Sequence, residues 1–192
     1  MSAIAHEPQP IELDLAREAF DRTAVGLAVI TPEGAFREVN RAFCAITGYG
    51  REELEGRPCS TLTHAEDLAR DQEILHAGRS GDDSSATIDQ RYLRKDGAIV
   101  HVHARVSIVR GEDRQPTHLV GIFEDISKRK VAAEELRRSE SLLEIAGRMA
   151  QVGGWSIDLP DRRLVWSNVV AALHDEPAGY SPPLDKGIDA FV

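Results

Sequence analysis

Seven histidines and two cysteines are the residues of this 192-residue chain best suited to metal or nucleophile chemistry. Cys44 and Cys59 alone make neither a disulfide framework nor a zinc site. His101 and His103 stand at i, i+2 on one predicted strand, and His118 on the next strand would add a third imidazole, enough in principle for a metal. They fall on the face opposite Val100, Val102, Ala104, Val106 and Ile108, so exposed histidines are the expectation. His64 precedes a predicted helix as an N-cap-like residue, and His76 lies late in that helix. There is no phosphate-cradling glycine loop, no His-Glu-x-x-His and no nucleophile elbow, so no catalytic role is expected of this chain.

Composition narrows the class. The chain carries 23 Lys+Arg against 32 Asp+Glu, a net charge of -9, where a nucleic-acid binder would show a concentrated basic face. A hydrophobic fraction of 42% is enough for a core. No apolar run approaches the ~20 residues of a membrane span, and Met1 to Pro10 does not have the pattern of a secretory signal. A cytoplasmic protein is expected.

The elements that would position these residues follow from periodicity. Residues 1–10 read as a disordered tail, and Ile11, Leu15, Ala19 and Phe20 as one face of a short helix ending near Thr23. Val25–Ile30 and Ala35–Val39 form a hairpin around Thr31-Pro-Glu-Gly34. Asn40 caps a helix over Arg41–Thr47 that Gly48 ends; helical turns follow at Arg51–Leu54 and around His64–Leu75, and Gly78 to Asp83 breaks the chain. The period then becomes two in Thr87–Leu93, Ile99–Val109 and His118–Ile126, with Asp96-Gly97 as a tight turn. The sum is an α+β domain of about 100 residues.

Residues 127–150 lack Pro and place Ala132, Leu136, Ser139, Leu143, Ala146 and Ala150 at alternating spacings of four and three. That is an imperfect heptad seam, with Glu134–Arg138 and Glu144–Arg148 as supporting pairs. A parallel coiled-coil connector in a dimer is expected, the alternative being one solvated helix. Beyond Gly153-Gly154, Trp155–Leu159 and Leu164–Ser167 form a second hairpin, and Asn168 precedes a short helix. A lone hairpin is too small to bury both tryptophans, so residues 151–192 read as an unfinished domain in which Asn168 repeats Asn40.

Together these residues resemble a PAS domain with its PAC extension, the sensory module of signalling proteins. The resemblance rests on Asn40-Arg-Ala-Phe43, Thr47-Gly-Tyr49, Glu52-Glu-Leu54, Gly56, His64-Ala-Glu-Asp67, Arg94-Lys-Asp-Gly97, Gly121-Ile-Phe-Glu-Asp-Ile-Ser127 and Lys128-Arg-Lys130. It implies a five-stranded antiparallel sheet with short helices on one face, over residues 11–127, followed by a long signalling helix, the connector of residues 128–150. Ala150-Gln-Val-Gly-Gly-Trp155, Asp158-Leu159 and Trp166-Ser167 are similar to the opening of a second such domain.

The resemblance also implies a site. Phe43, Cys59, Leu62, Leu75, Tyr92, Val102 and Phe123 would line a pocket between sheet and helices, and with few polar residues among them a filled core and an apolar ligand pocket look alike. Asp125, Ile126 and Ser127 would relay a signal from the last strand into the connector. Cys59 falls where the flavin-binding LOV class carries its reactive cysteine, but Pro58 replaces an Asn there, and Tyr92, Val102 and Phe123 offer flavin no amide. Flavin on Cys59 and haem on His76 are both disfavoured, and no cofactor is expected. The expectation is the input region of a signal-transduction protein, a homodimer through its flanking and connector helices, with a sensor histidine kinase or else a diguanylate cyclase as output.

Overall fold

The computed structural model describes residues 10–79 and 85–184, leaving aside the side chains of residues 10–13 and 77–79. Residues 1–9 of the expected tail, the break at Gly81 to Asp83 and the terminal Phe191 and Val192 lie outside the described residues, whereas Pro10, expected in the tail, opens the first helix. The chain divides into two compact units between Lys130 and Val131.

Unit 1 begins with helix α1 (Pro10–Arg22) and the hairpin β1 (Gly26–Ile30) and β2 (Phe36–Val39). Short helices α2 (Arg41–Thr47) and α3 (Arg51–Leu54) follow, then 3-10 turns at Cys59–Thr61 and Ala65–Asp67 and helix α4 (Leu68–Arg79). The helix runs through Gly78, which therefore does not break the chain as expected. Strands β3 (Ala86–Leu93), β4 (Ile99–Arg110) and β5 (Pro116–Asp125) complete an antiparallel five-stranded sheet in the order β2-β1-β5-β4-β3.

Alternation decides which face the helices cover. Val100, Val102 and Ala104 of β4, Leu119 and Phe123 of β5, and Ile88 and Tyr92 of β3 are buried on the inner face. Phe43 of α2 packs into it, its ring 4.8 Å from Phe123 and 5.3 Å from Phe36 between centroids. Burying one such ring contributes about 1.5–3 kcal/mol, so these contacts fix α2 against the sheet.

The corner between β2 and α2 turns on Asn40, which is fully buried. Its Oδ1 accepts from Leu27 N at 2.8 Å and Phe43 N at 2.9 Å, and its Nδ2 donates to the carbonyls of Phe20 and Val25. One side chain thus caps α2 and ties it to β1 and to the end of α1.

Helix α5 (Ser127–Ala150) leads from unit 1 into unit 2, and none of its side chains is buried. Glu144 pairs with Arg148 as expected, whereas Glu134 pairs with Arg137 rather than Arg138, because a bidentate contact is reached one residue earlier. Unit 2 continues with β6 (Trp155–Asp158), β7 (Arg163–Trp166) and α6 (Asn168–Leu173). Trp166 is buried against Leu164, Val170, Tyr180 and Leu184, so the segment after α6 covers one tryptophan that the hairpin alone could not.

The cap of α6 corrects the expected repeat. Ser167, not Asn168, accepts from Val170 N, and it also accepts from Gly154 N. These partners lie 3 residues ahead and 13 residues behind, as Phe43 and Leu27 do for Asn40. The backbone repeats the pattern: Asn40 N donates to Leu27 O and Ser167 N to Gly154 O, while Ala28 faces Val39 and Trp155 faces Trp166.

Candidate functional site

Sheet and helices of unit 1 enclose a cavity of about 30 Å3 on the inner face, room for about one water-sized group. Tyr92 and Gln90 come from β3, Phe123 from β5, Cys59 from the first 3-10 turn, and Asp71 and Leu75 from α4. Two glycines make this packing possible. Gly34 sits at φ +91°, and a Cβ there would fall 2.9 Å from Leu75 Cδ1. A Cβ on Gly121 would fall 2.4 Å from the Phe123 ring, which folds back over its own strand.

The cavity has one polar end. Thr63 Oγ1 donates to the Asp71 carboxylate. Gln90, only 5% exposed, donates from Nε2 to Tyr92 Oη at 2.8 Å. Its Oε1 has no hydrogen-bond partner among the described residues. Turning the amide over would strand an N–H instead, so one amide atom is unmatched either way.

Burial governs the ionisation of this end. It pushes the Asp71 carboxyl above its ordinary range, and it holds the Tyr92 phenol well above its own. Burial, reinforced by the nearby Asp71, lifts the Cys59 thiol to about 11. Cys59 is therefore a neutral thiol at physiological pH and a poor nucleophile.

Of the seven expected pocket residues, Cys59, Leu75, Tyr92 and Phe123 line the cavity. Phe43, Leu62 and Val102 are fully buried in the core and are not among its walls. The expectation of a wall with few polar residues misses Asp71 and Gln90. Gln90 was readable: the period of two in β3 puts it on the inner face with Ile88 and Tyr92. Asp71 was not, since α4 has only a weak apolar stripe to orient it.

The three residues expected to relay a signal, Asp125, Ile126 and Ser127, form a tight joint. Asp125 Oδ1 accepts from Ser127 N at 2.8 Å and opens α5. Ser127 Oγ accepts from His101 N at 3.0 Å, Ile126 N donates to His101 O at 2.9 Å, and the Ile126 side chain is buried. Lys130 Nζ reaches Asp89 of β3 at 3.5 Å. The first turn of α5 is thereby held to both β4 and β3.

The histidines are dispersed. His103 Nδ1 bonds Asp89 at 2.6 Å and His118 contacts Arg37, while His64 Nδ1 accepts from Glu66 N at the start of a 3-10 turn. Among the described residues no three His, Cys, Asp or Glu side chains gather as a metal site. Nor is any helix there long and apolar enough to cross a membrane.

The sheet order, the capped corner and the strand-to-helix joint define a sensory fold. The chain belongs to the PAS domain family, whose pattern matches residues 24–128. The PAS domain of a protein from Colwellia psychrerythraea superposes with a TM-score of 0.55 at 25% identity, over 60% of this chain and 98% of that one. Among curated proteins, the chain is 28% identical over 166 residues to a probable diguanylate cyclase of Escherichia coli, covering 86% of this chain and 15% of the relative. It is 24% identical over 137 residues to the sensor histidine kinase TmoS of Ectopseudomonas mendocina, covering 71% of this chain and 14% of that protein. The chain thus spans about one seventh of these signalling proteins.

Proposed function

We propose that the chain is the input region of a cytoplasmic signalling protein, in which unit 1 takes a small ligand in its inner cavity and passes the event through β5 into α5. The observation that carries this reading is the position of Phe123. Its ring walls the cavity, and it lies two residues before Asp125, where the joint to α5 begins. A shift of that ring is transmitted along one strand to a joint made of three hydrogen bonds.

The chain acts as a homodimer through α1 and α5. Leu136 and Leu143, 61% and 70% exposed, lie on the heptad seam of a helix with no buried side chain. Unit 2 is the opening of a second PAS module. The cap, the backbone bond and the hairpin register that repeat from the Asn40 corner to the Ser167 corner all support this. The output is a histidine kinase, with a diguanylate cyclase as the alternative, in keeping with the curated relatives. Neither flavin nor haem is the sensing group: Gln90 is the one amide among the described lining residues, and His76 is not among them.

Thermal-shift screening against small metabolites tests the ligand. A compound that raises the melting temperature is expected, and an absorption spectrum with flavin or haem bands would overturn the cofactor-free reading. Replacing Leu136 and Leu143 together by Glu is expected to give monomers in sedimentation; an unchanged dimer would refute the seam.

A further inference from the structure

The walls of the cavity carry information about the head group they would accept. The Asp71 carboxylate and Tyr92 Oη both call for the N–H end of the Gln90 amide, which leaves Gln90 Oε1 as a buried acceptor without a donor. Asp71 is a second acceptor, engaged by Thr63 and by the Gln90 amide, with carboxylate lone pairs left for a further donor. Among the described lining residues Asp71 is the one charged group, and Ile30, Ile74, Leu75 and Phe123 make the remainder largely apolar. An anionic head would meet the Asp71 carboxylate with no cation to offset it. A wholly apolar ligand would leave Gln90 Oε1 unpaired. A head rich in N–H donors satisfies both acceptors.

We infer that the cavity of unit 1 takes a small primary amine, bound as the ammonium, with its head between Asp71 and Gln90 and a compact apolar body against Phe123 and Leu75. This rests on the reading of the cavity as the sensory site and adds the chemical class of its ligand. The ammonium supplies the donors that Gln90 Oε1 lacks and a countercharge for Asp71. The hydrocarbon body requires more room than about 30 Å3. Ile74 and Leu75 on α4, only partly buried, are the wall that yields. Binding is thereby coupled to an outward movement of α4.

The test compares three probes of one shape, benzylamine, benzoate and toluene, by amide and side-chain NMR of the whole chain. Benzylamine is expected to shift Gln90, Tyr92 and Phe123 saturably and to bind about tenfold or more tighter than toluene, with benzoate silent. Asp71→Asn and Gln90→Leu are each expected to weaken benzylamine about tenfold while leaving toluene unchanged. Both are near in size to the native residue, and a cooperative melt of each variant is the folding control. Benzoate or toluene binding as tightly as benzylamine, benzylamine unaffected by Asp71→Asn, or no saturable shift from any probe would each overturn the inference. Toluene binding that moves the Ile126 and Ser127 resonances, without benzylamine binding, sinks the amine while the cavity remains the sensory site. Benzylamine binding that leaves Ile126 and Ser127 unmoved does the reverse.

Discussion

The two corners of this chain solve the same problem with different side chains. At Asn40 an amide accepts two backbone N–H groups and donates to two carbonyls, so the corner joins β1, α2 and the end of α1. At Ser167 a hydroxyl accepts from the corresponding two N–H groups, and neither of the two further donor bonds has a counterpart among its hydrogen bonds. The surroundings differ likewise. Ala28, in the middle of β1 with β2 and β5 on either side, is fully buried, whereas Trp155 at the matching position of β6 is 54% exposed. Local hydrogen bonds are enough to shape a hairpin and cap a helix. Burying the strand's face takes the sheet around it.

The largest effect is expected from Asn40→Ala, which takes the side-chain acceptor from the buried Phe43 N–H and the part-buried Leu27 N–H and a donor from each of two carbonyls. Unit 1 should lose about 3 kcal/mol or more in denaturant unfolding; a loss under about 1 kcal/mol would mean that the corner does not organise the unit. Asn40→Ser copies the unit 2 corner into unit 1. It keeps the cap and drops the two donor bonds, so a smaller loss of about 1–2 kcal/mol is expected. A loss equal to that of Asn40→Ala would break the parallel between the corners.

Acid should separate the two units. Arg91 grips Asp67 through Nε and Nη2 and holds its carboxyl down to about 2. A lowered carboxyl contributes stability that is present above its ordinary range and is lost as pH falls from near 4 toward 2. Asp71 has the opposite sign. Its raised carboxyl makes ionisation unfavourable to the fold above that range, a penalty that acid removes. Amide exchange through this window is expected to show unit 1 weakening, with Asp67→Asn flattening the trend. The amides of Gly154 and Val170, held by the uncharged Ser167, should weaken less, since the carboxyl nearest them, Glu144, is held low only through exposed contacts with Arg148 and Asn168. The smallest effect is expected from Ser167→Ala, about 1 kcal/mol, seen as faster exchange at Gly154 and Val170 with unit 1 unchanged.

Much of the fold was legible because its signals are local. Asn40 three residues before Phe43, Gly48 after Thr47, and strict alternation from Val100 to Ile108 each have a physical cause within a few residues. The repeat was legible in outline but assigned to the wrong residue. Asn168 matches Asn40 in type, yet the cap falls on the residue that follows β7, and with the strand ending at Trp166 that residue is Ser167. The cavity was the least legible part. Whether Phe43 and Leu62 line a space or fill a core depends on packing across 20 to 80 residues of sequence, which periodicity does not encode. Attention to apolar residues also passed over Gln90, whose unmatched oxygen follows from tertiary packing alone.

The most direct test of the coupling from cavity to connector enlarges the cavity and fills it with an inert probe. Leu75→Ala opens space on α4, remote in sequence from the α5 joint, and xenon occupies dry apolar cavities. Xenon titrated into this variant is expected to shift the Phe123, Ile126 and Ser127 amides with one shared midpoint, leaving Gly154 and Val170 still. Saturable shifts at Phe123 with Ile126 and Ser127 unmoved would contradict the account, because the strand would then end the signal instead of passing it on.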